Sequence, residues 1–139
     1  MEKCIICDLD GTLCLFDGNP YNRDFKNDKC SLQVKFILES YINKYPNRKI
    51  IFLSGRNDKF KEETLNWLTN NLNHNNFSLF MRKDKDFRKD TILKEEMYNQ
   101  YIKYNFFVDF VIDDRLQVCK LWYSLGLFVF NVNQGLIEF

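Results

Sequence analysis

The chain has 139 residues, a formal net charge of +1, and 45% hydrophobic and 17% aromatic residues. Its length suits one domain with a sizeable core, and its apolar content excludes an intrinsically disordered chain. The balanced charge provides no general basic field, so a nucleic-acid or membrane partner would have to be held by a local patch. No apolar run reaches the ~20 residues that a membrane-spanning helix needs.

Five cysteines without a regular framework, and no signal-peptide pattern, predict a cytoplasmic, reducing environment. Cys4 and Cys7 match C-x-x-C, but residues i and i+3 of a strand face opposite sides and can neither chelate a metal nor form a disulfide. His74, the only histidine, lies in a polar run and is predicted to be an exposed loop residue. This position disfavours a histidine-dependent catalytic triad.

Predicted strands and helices alternate along the whole chain. Short apolar runs predict strands at residues 3–8, 49–53, 77–81, 106–112 and 127–132. Apolar residues at helical spacing predict helices at residues 31–45, 58–71, 90–104 and 116–125. Ser31 is the expected N-cap of the first helix, and Gly126 the glycine that ends the last. Because the strands lack period-two alternation, we expect a single three-layer α/β domain, with a mainly parallel five-stranded sheet and helices on both faces.

The first predicted strand ends in two acids separated by one residue, Asp8 and Asp10, and Gly11 follows them. Burying carboxylates at a strand end costs free energy unless a cation or a phosphate site compensates them. An Asp-Gly turn would explain Gly11, but it would not explain paired acids behind an apolar strand. The motif therefore indicates a binding or catalytic site.

Two other predicted strands also end in polar groups. Ser54 and Gly55 follow the second strand, and Asp113 and Asp114 follow the fourth. Because parallel sheets bind ligands at the carboxyl ends of their strands, we expect these groups to converge. Converging acids predict Mg²⁺, and the lack of a P-loop pattern disfavours a kinase. The remaining chemistry is phosphoryl transfer to a carboxylate and then to water.

The ordered set of motifs resembles the haloacid dehalogenase superfamily of phosphatases. Residues 8–12 resemble its first motif, residues 54–56 its second, Lys94 its third-motif lysine, and Asp113 with Asp114 its acidic pair. The resemblance implies a Rossmann-like fold, Mg²⁺ as cofactor and a reaction through an aspartyl-phosphate.

Longer blocks are similar to the 3′-phosphatase domain of phage-type polynucleotide kinase–phosphatases. These blocks are residues 17–21, 54–56, 82–96 and 112–122, and the similarity extends to the final stretch of the chain. The similarity implies a phosphatase that removes 3′-phosphates from DNA or RNA ends or from 3′-nucleotides. Residues 18–20 depart from the pattern because they lack its basic residue and its extra glycine, and Arg23 is a candidate replacement.

The resemblance implies a role for each acid. Asp8 is the expected nucleophile, and Asp10 the general acid that protonates the leaving oxygen and then activates water. The expected metal ligands are Asp8, Asp114 and the main-chain carbonyl of Asp10, with Asp113 in support. Lys94 is expected to neutralise the transferring group and to pair with Asp113.

The resemblance also implies how the phosphoryl group is held. Ser54, the Gly55 amide and Thr12 are expected to donate hydrogen bonds to its oxygens. Four arginines are expected to hold the phosphate or a nucleic-acid backbone. They are Arg56, Arg82, Arg88 and Arg115. Arg88 could instead pair with Asp86 in a solvated loop.

The residues by themselves leave other interpretations open. Asp113 and Asp114 could cap the following helix, and Asp90 is predicted to be an N-cap and not a catalytic group. Lys94 lies one position off the apolar stripe of its helix. This position predicts a solvated lysine whose replacement leaves stability nearly unchanged.

The connections between predicted elements are too short to hold a cap domain, so we expect an open site that admits a polymer end. Two other functions stay open: a phosphatase for a small metabolite or nucleotide, and a catalytically silent module that grips nucleic-acid ends. The expected partners are phosphorylated nucleic-acid ends or nucleotides and a separate kinase or ligase, with no membrane. The asparagine and lysine content and the phage-type blocks are compatible with a viral or AT-rich origin.

Overall fold

The computed structural model describes residues 1–19 and 22–134, in which strands and helices alternate. In chain order the elements are β1 (Glu2–Cys7), β2 (Cys14–Leu15), β3 (Lys29–Cys30), α1 (Leu32–Lys44), β4 (Lys49–Asn57), α2 (Lys61–Asn71), β5 (Phe77–Arg82), α3 (Asp90–Met97), β6 (Phe106–Asp113), α4 (Leu116–Ser124) and β7 (Val129–Asn131). Single 3-10 turns at Phe25–Asn27 and Asp58–Phe60 precede β3 and α2. A π-helical turn at Tyr98–Ile102 follows α3.

Five strands within the described residues form one parallel sheet in the order β5-β4-β1-β6-β7. β2 and β3 form a separate antiparallel ribbon. The predicted α/β fold is confirmed, and the five-stranded sheet is parallel throughout. Because β1 is the central strand, its carboxyl end lies between those of β4 and β6, where such sheets bind their ligands.

Apolar side chains cover both faces of the sheet. Ile5 and Cys7 pack into one cluster with buried residues of α1 and α2. Cys4 and Ile6 pack into a second cluster with buried residues of α3 and α4. Cys4 and Cys7 therefore face opposite sides of the sheet, as their spacing predicts, and both are free thiols.

Local signals in the sequence place two helix ends. The hydroxyl of Ser31 accepts a hydrogen bond from the Val34 amide at 3.3 Å, so α1 begins where its cap predicts. Gly126 follows α4 with φ of +83°, a backbone conformation that favours glycine. No helix in the described residues has the length and hydropathy needed to cross a membrane.

Several predicted boundaries are wrong by a few residues. β4 continues to Asn57 because its last residues stay extended beside β5, where Asn57 pairs with Arg82 across a register shift. The helix predicted to reach residue 104 is α-helical only to Met97 and then widens into the π-helical turn. The ribbon formed by β2 and β3 was not predicted, because two-residue strands carry no periodic signal.

His74 is half-buried and not exposed as predicted. Its Nδ1 accepts a hydrogen bond from the Asn76 amide at 3.3 Å, and burial lowers the pKa of the ring, opposed by the charge of Glu39. The predicted motif residues Pro20 and Tyr21, and the last five residues of the chain, lie outside the described residues.

The core under α1 provides a stability test. Leu38 is fully buried, whereas Phe36 on the same helix is 72% exposed. We expect Leu38→Ala to lower the free energy of unfolding by about 2–5 kcal/mol, because it removes buried methyl groups and leaves a cavity. Phe36→Ala should cost under about 1 kcal/mol. Urea denaturation of the two variants measures the difference, and equal losses would contradict the assignment of α1's buried face.

Candidate active site

Three carboxylates from two adjacent strand ends meet at the carboxyl edge of the sheet. Asp8 follows β1, Asp113 ends β6 and Asp114 follows it, and one oxygen from each lies within 4.8 Å of the others. All three residues are buried. The parallel pairing of β1 with β6 brings them together, since Cys7 is the partner of Ile112. The convergence predicted from the motifs is thus found for these acids.

Lys94 is buried among these acids, which corrects the prediction of a solvated lysine. Its side chain is 2% exposed, and its Nζ lies 2.7 Å from Asp8 Oδ1 and 3.3 Å from Asp113 Oδ2. A lysine one position off an apolar stripe can still be buried when carboxylates lie close enough to pair with its ammonium group. The predicted pairing of Lys94 with Asp113 is present in the structure, together with a shorter contact to Asp8.

Asp113 and Asp114 have different surroundings. Asp113 accepts backbone hydrogen bonds from Asp114 and Arg115 on Oδ1, and its Oδ2 accepts from Lys94 and from the Trp122 indole at 3.2 Å. Asp114 accepts a hydrogen bond on Oδ1 from the Thr12 hydroxyl at 2.9 Å. The protein therefore already occupies both oxygens of Asp113, while Asp114 points into the space near the first motif.

The charges of this cluster do not balance. Burial raises the pKa of Asp8 well above its usual range, and the charges of Asp113 and Asp114 add to the effect against the opposing Lys94. Burial likewise raises the pKa of Asp114. Burial lowers the pKa of Lys94, but the charges of Asp113 and Asp8 outweigh it, so this pKa is raised overall. One ammonium facing three carboxylates leaves negative charge that a divalent cation would compensate.

Gly11 is required at its position for two reasons. Its φ is +83°, and a Cβ there would lie 2.2 Å from Asp114 Oδ2. The positive φ explains why glycine is favoured in this turn. The close approach of Asp114 explains why the residue that faces the acids cannot carry a side chain. Any side chain at this position would displace Asp114 from Thr12 and Asp8.

Asp10 lies outside the cluster of three carboxylates and is held by two arginines. Arg56 binds it through Nε and Nη2, at 3.0 and 2.8 Å from Oδ1, and Arg23 makes a further short ion pair with the same oxygen. Both guanidinium groups also reach the buried Asp28, at 2.8 Å from Arg23 and 2.9 Å from Arg56. The main-chain carbonyl of Asp28 accepts from the Trp67 indole at 3.0 Å.

This arginine network was largely missed from the sequence. Arg56 was predicted to hold phosphate, but its guanidinium is buried against Asp10, Asp28 and the Thr64 hydroxyl. Asp28 carries no motif signal, because it lies in a polar stretch of turns. For Arg23 the sequence predicts only a replacement for the basic residue that the phage-type pattern has before Pro20. In the structure the Arg23 guanidinium also stacks on the ring of Phe16, with its Cζ 3.7 Å from the ring centroid.

Ser54 and Gly55 lie at the end of the paired region of β4 and β5, where Ser54 is opposite Met81. Ser54 is fully buried, and its Oγ accepts a hydrogen bond from the Arg56 amide at 3.0 Å, which leaves its hydroxyl proton to donate. A Cβ at Gly55 would lie 2.5 Å from Asp90 Oδ1, so glycine permits Asp90 to approach.

Asp90 is the first residue of α3 and not its N-cap, which is Lys89. Its carboxylate accepts from Arg82 at 2.5 Å and from Arg115 at 2.9 Å. Arg82 also donates to the Gly55 carbonyl at 2.8 Å. These two arginines, predicted to hold substrate, are thus engaged with Asp90 and fasten the start of α3 beside the second motif.

Arg88 lies apart from the buried acids on the loop before α3. It pairs with Asp86 at 2.7 Å and with Glu96 at 2.6 Å. The pairing with Asp86 is the alternative that the sequence left open. Hydrogen bonds from Arg88 lower the pKa of Asp86 to about 2. A direct role of Arg88 in holding substrate stays a prediction.

The structure combines a parallel α/β sheet with acids at the carboxyl ends of its central strand and of the neighbouring strand, and a buried lysine pairs with these acids. This combination is the fold and site of the haloacid dehalogenase superfamily. Residues 2–137 match the family model described as the phosphatase domain of the polynucleotide kinase PNKP. The chain belongs to that family, which confirms the resemblance drawn from its motifs.

Individual relatives agree with the family. The chain is 35% identical to a protein of Autographa californica nuclear polyhedrosis virus named as a bifunctional polynucleotide kinase/RNA ligase, an alignment that covers 99% of this chain and 20% of the relative. A chain in the structure of the Pnkp1/Rnl/Hen1 RNA repair complex is 36% identical with a TM-score of 0.85, over 94% of this chain and 42% of that one. The chain thus spans a fifth of the viral relative and less than half of the chain in the complex.

A more distant structure agrees in fold. The HAD domain of the effector protein Lem4 from Legionella pneumophila superimposes with a TM-score of 0.61 at 16% identity, over 99% of this chain and 89% of that one. At this identity the likeness concerns the sheet and its helices alone.

The burial of Lys94 reverses the expectation that its replacement is harmless to stability. We expect Lys94→Met to lower the free energy of unfolding by about 3–5 kcal/mol in chelator-treated protein, because it leaves buried carboxylates without their cation. Lys120→Met, on the exposed side of α4, is the matched control and should change it by under about 0.5 kcal/mol. Urea denaturation measures both.

A second substitution separates charge from packing in this test. Adding Asp8→Asn to Lys94→Met removes one of the uncompensated charges and should recover part of the lost stability. If Lys94→Met were as stable as the Lys120→Met control, the ion pairs of Lys94 would not be compensating the buried acids.

Proposed function

We propose that this chain is a Mg²⁺-dependent phosphatase that removes 3′-phosphates from polynucleotide ends or from 3′-nucleotides. The observation that carries the proposal is the buried Asp8 carboxylate, held 2.7 Å from the Lys94 ammonium beside Asp113 and Asp114. Family membership supports a substrate at a nucleic-acid end, since the matched family is that of polynucleotide kinase phosphatase domains.

Asp8 is the proposed nucleophile. Lys94 engages its Oδ1, and the Thr12 hydroxyl, which has one proton to share between Asp8 and Asp114, lies 3.1 Å from its Oδ2, so the carboxylate is held in one orientation. A carboxylate oxygen forms a bond to phosphorus while the bond from phosphorus to the sugar oxygen breaks, which yields an aspartyl-phosphate. Water then attacks phosphorus, and inorganic phosphate leaves as the Asp8 carboxylate is regenerated.

Asp10 is the proposed acid and base of the two steps. It gives a proton to the leaving sugar oxygen in the first step and takes one from water in the second. Its carboxylate is paired with Arg23 and Arg56 in the structure. To act as acid and base, it must leave these arginines and contact the leaving oxygen or the attacking water. Arg23 and Arg56 hold Asp10 before this exchange, and the incoming phosphate competes for the same guanidinium groups.

The donor set at the site fits Mg²⁺, which prefers a few carboxylate oxygens and retains water for its substrate. The proposed ligands are Asp8, Asp114 and the main-chain carbonyl of Asp10. Asp113 is a supporting residue, because its oxygens already accept hydrogen bonds from the protein. Bound there, Mg²⁺ would supply positive charge to the carboxylates and the phosphoryl oxygens.

The proposed hydrogen-bond donors to the phosphoryl group are the Ser54 hydroxyl, the Gly55 amide and Thr12. The Thr12 hydroxyl lies 2.9 Å from Asp114 and 3.1 Å from Asp8, so it can also orient the acids. The connection between β1 and α1, residues 8–31, is too short to hold a folded cap domain. A connection without a folded domain supports a polymer end as substrate.

Phosphate release tests the proposed reaction. We expect faster release from a 3′-phosphorylated oligonucleotide than from its 5′-phosphorylated counterpart or from a sugar phosphate. Asp8→Asn should reduce the rate on the order of 1,000-fold or more, because the amide cannot form the covalent intermediate. Glu62→Gln, an exposed acid on α2, is the control and should retain the wild-type rate. Equal rates on all substrates would reject the 3′-end assignment and favour a small-molecule phosphatase.

Metal binding is tested without activity. We expect millimolar Mg²⁺ to raise the melting temperature of the chelator-treated protein, because it binds the folded state alone. Asp114→Asn should abolish the rise, while Glu62→Gln should keep it. A rise of wild-type size in Asp114→Asn would remove Asp114 from the proposed ligands.

A further inference from the structure

Two of the five cysteines lie directly opposite each other in the ribbon formed by β2 and β3. The antiparallel register pairs Cys14 with Cys30. Both side chains are free thiols. No other two cysteines are partners in the strand register of the described residues.

Backbone hydrogen bonds show which kind of antiparallel pair this is. The Ser31 amide donates to the Leu13 carbonyl at 2.8 Å, and the Cys14 amide donates to Leu9 at 2.9 Å and not to Cys30. Cys14 and Cys30 therefore form a non-hydrogen-bonded pair, in which opposed Cα atoms are about 4.5 Å apart and the side chains approach most closely. That separation lies within the range that disulfide geometry accepts, about 4.4–6.8 Å.

The two side chains also share one environment. Directly opposed residues of a ribbon point to the same face, and both cysteines pack against the core cluster under α1 and α2. Cys14 is fully buried, whereas Cys30 is partly exposed. An oxidant in solution thus has access to Cys30 first, and Cys14 lies where it can react next.

We propose that Cys14 and Cys30 are a redox modification site that forms a reversible cross-strand disulfide, with a low-molecular-weight disulfide as the oxidant. The Cys30 thiolate attacks one sulfur of that disulfide, forms a mixed disulfide and expels one thiolate. The Cys14 thiolate then attacks the Cys30 sulfur and expels the second thiolate. The two protons from the protein thiols pass to the two expelled thiolates, so one small disulfide is reduced as one protein disulfide forms.

The bridge would tie together two segments of the candidate active site. Cys14 closes the turn of the first motif, since its carbonyl accepts from the Gly11 amide at 2.9 Å. The loop that the disulfide closes contains Arg23, which binds Asp10, and Asp28, which binds Arg23. Oxidation therefore restrains the nucleophile loop and the arginine network together.

Oxidised glutathione and peptide mapping test the proposal on the whole chain. Treatment should reduce the free thiols, titrated after denaturation, from five to three. Mass spectrometry of a digest should find the peptides of Cys14 and Cys30 linked, and dithiothreitol should separate them. The oxidised protein should melt higher by at least about 5 °C, because the bridge restricts the unfolded chain.

Variants identify the sulfurs involved. Cys30→Ser, at the partly exposed position, should prevent the bridge, and Cys119→Ser, a buried cysteine on α4, should leave it unchanged. Cys14→Ser provides a second variant that should retain at most a glutathione adduct on Cys30. A link from Cys14 to Cys7, a glutathione adduct without internal bridging in the wild type, or five remaining thiols would overturn the proposal.

Discussion

The ion pairs of Lys94 with Asp8 and Asp113 are the interaction on which the candidate site depends. They join α3 to the ends of β1 and β6 in a place that water scarcely reaches. A single ammonium makes it possible to bury Asp8 and Asp113, but Asp114 adds a third carboxylate that it cannot balance. Burial raises the pKa of Asp8 and Asp114, and the charges of the neighbouring carboxylates add to the effect. The resulting excess of negative charge is the physical reason to expect a cation here. The same buried cluster of charges therefore joins these elements and provides the groups for the proposed chemistry.

A second set of charges surrounds the first and is neutralised within the protein. Asp10 and Asp28 face Arg23 and Arg56, and Asp90 faces two further arginines. Glycine makes this arrangement possible, since a Cβ at Gly55 would collide with Asp90. The same is true of the first set, where Gly11 leaves room for Asp114. Charged groups packed this closely hold one another in place, so the acids of the first motif are presented in defined orientations.

The fold and the acids could be predicted from the sequence because their signals are local. Apolar runs, the Ser31 cap and Gly126 mark elements by residue type and spacing. The acids lie at the ends of β1 and β6, two strands of one parallel sheet whose carboxyl ends lie at a shared edge, so their convergence could be expected from the position of each strand end. The burial of Lys94 and the partners of Arg23, Arg56, Arg82 and Arg115 could not be predicted, because these surroundings come from distant segments. Periodicity predicts whether a residue faces the core, but it does not predict whether a buried carboxylate lies there to pair with a lysine or an arginine.

The sequence alone determined the alternation of strands and helices, the paired acids and their order, and the family that these motifs resemble. The tertiary structure decided that Lys94 is buried, that Arg23 and Arg56 hold Asp10, and that Cys14 faces Cys30 across a ribbon. The physical reason is the range of the interactions. Helix caps and the spacing of apolar residues depend on a few neighbouring residues, so they leave a pattern in the sequence. Ion pairs and cross-strand contacts join residues far apart in the chain, and their partners become known only when the sheet order and register are known.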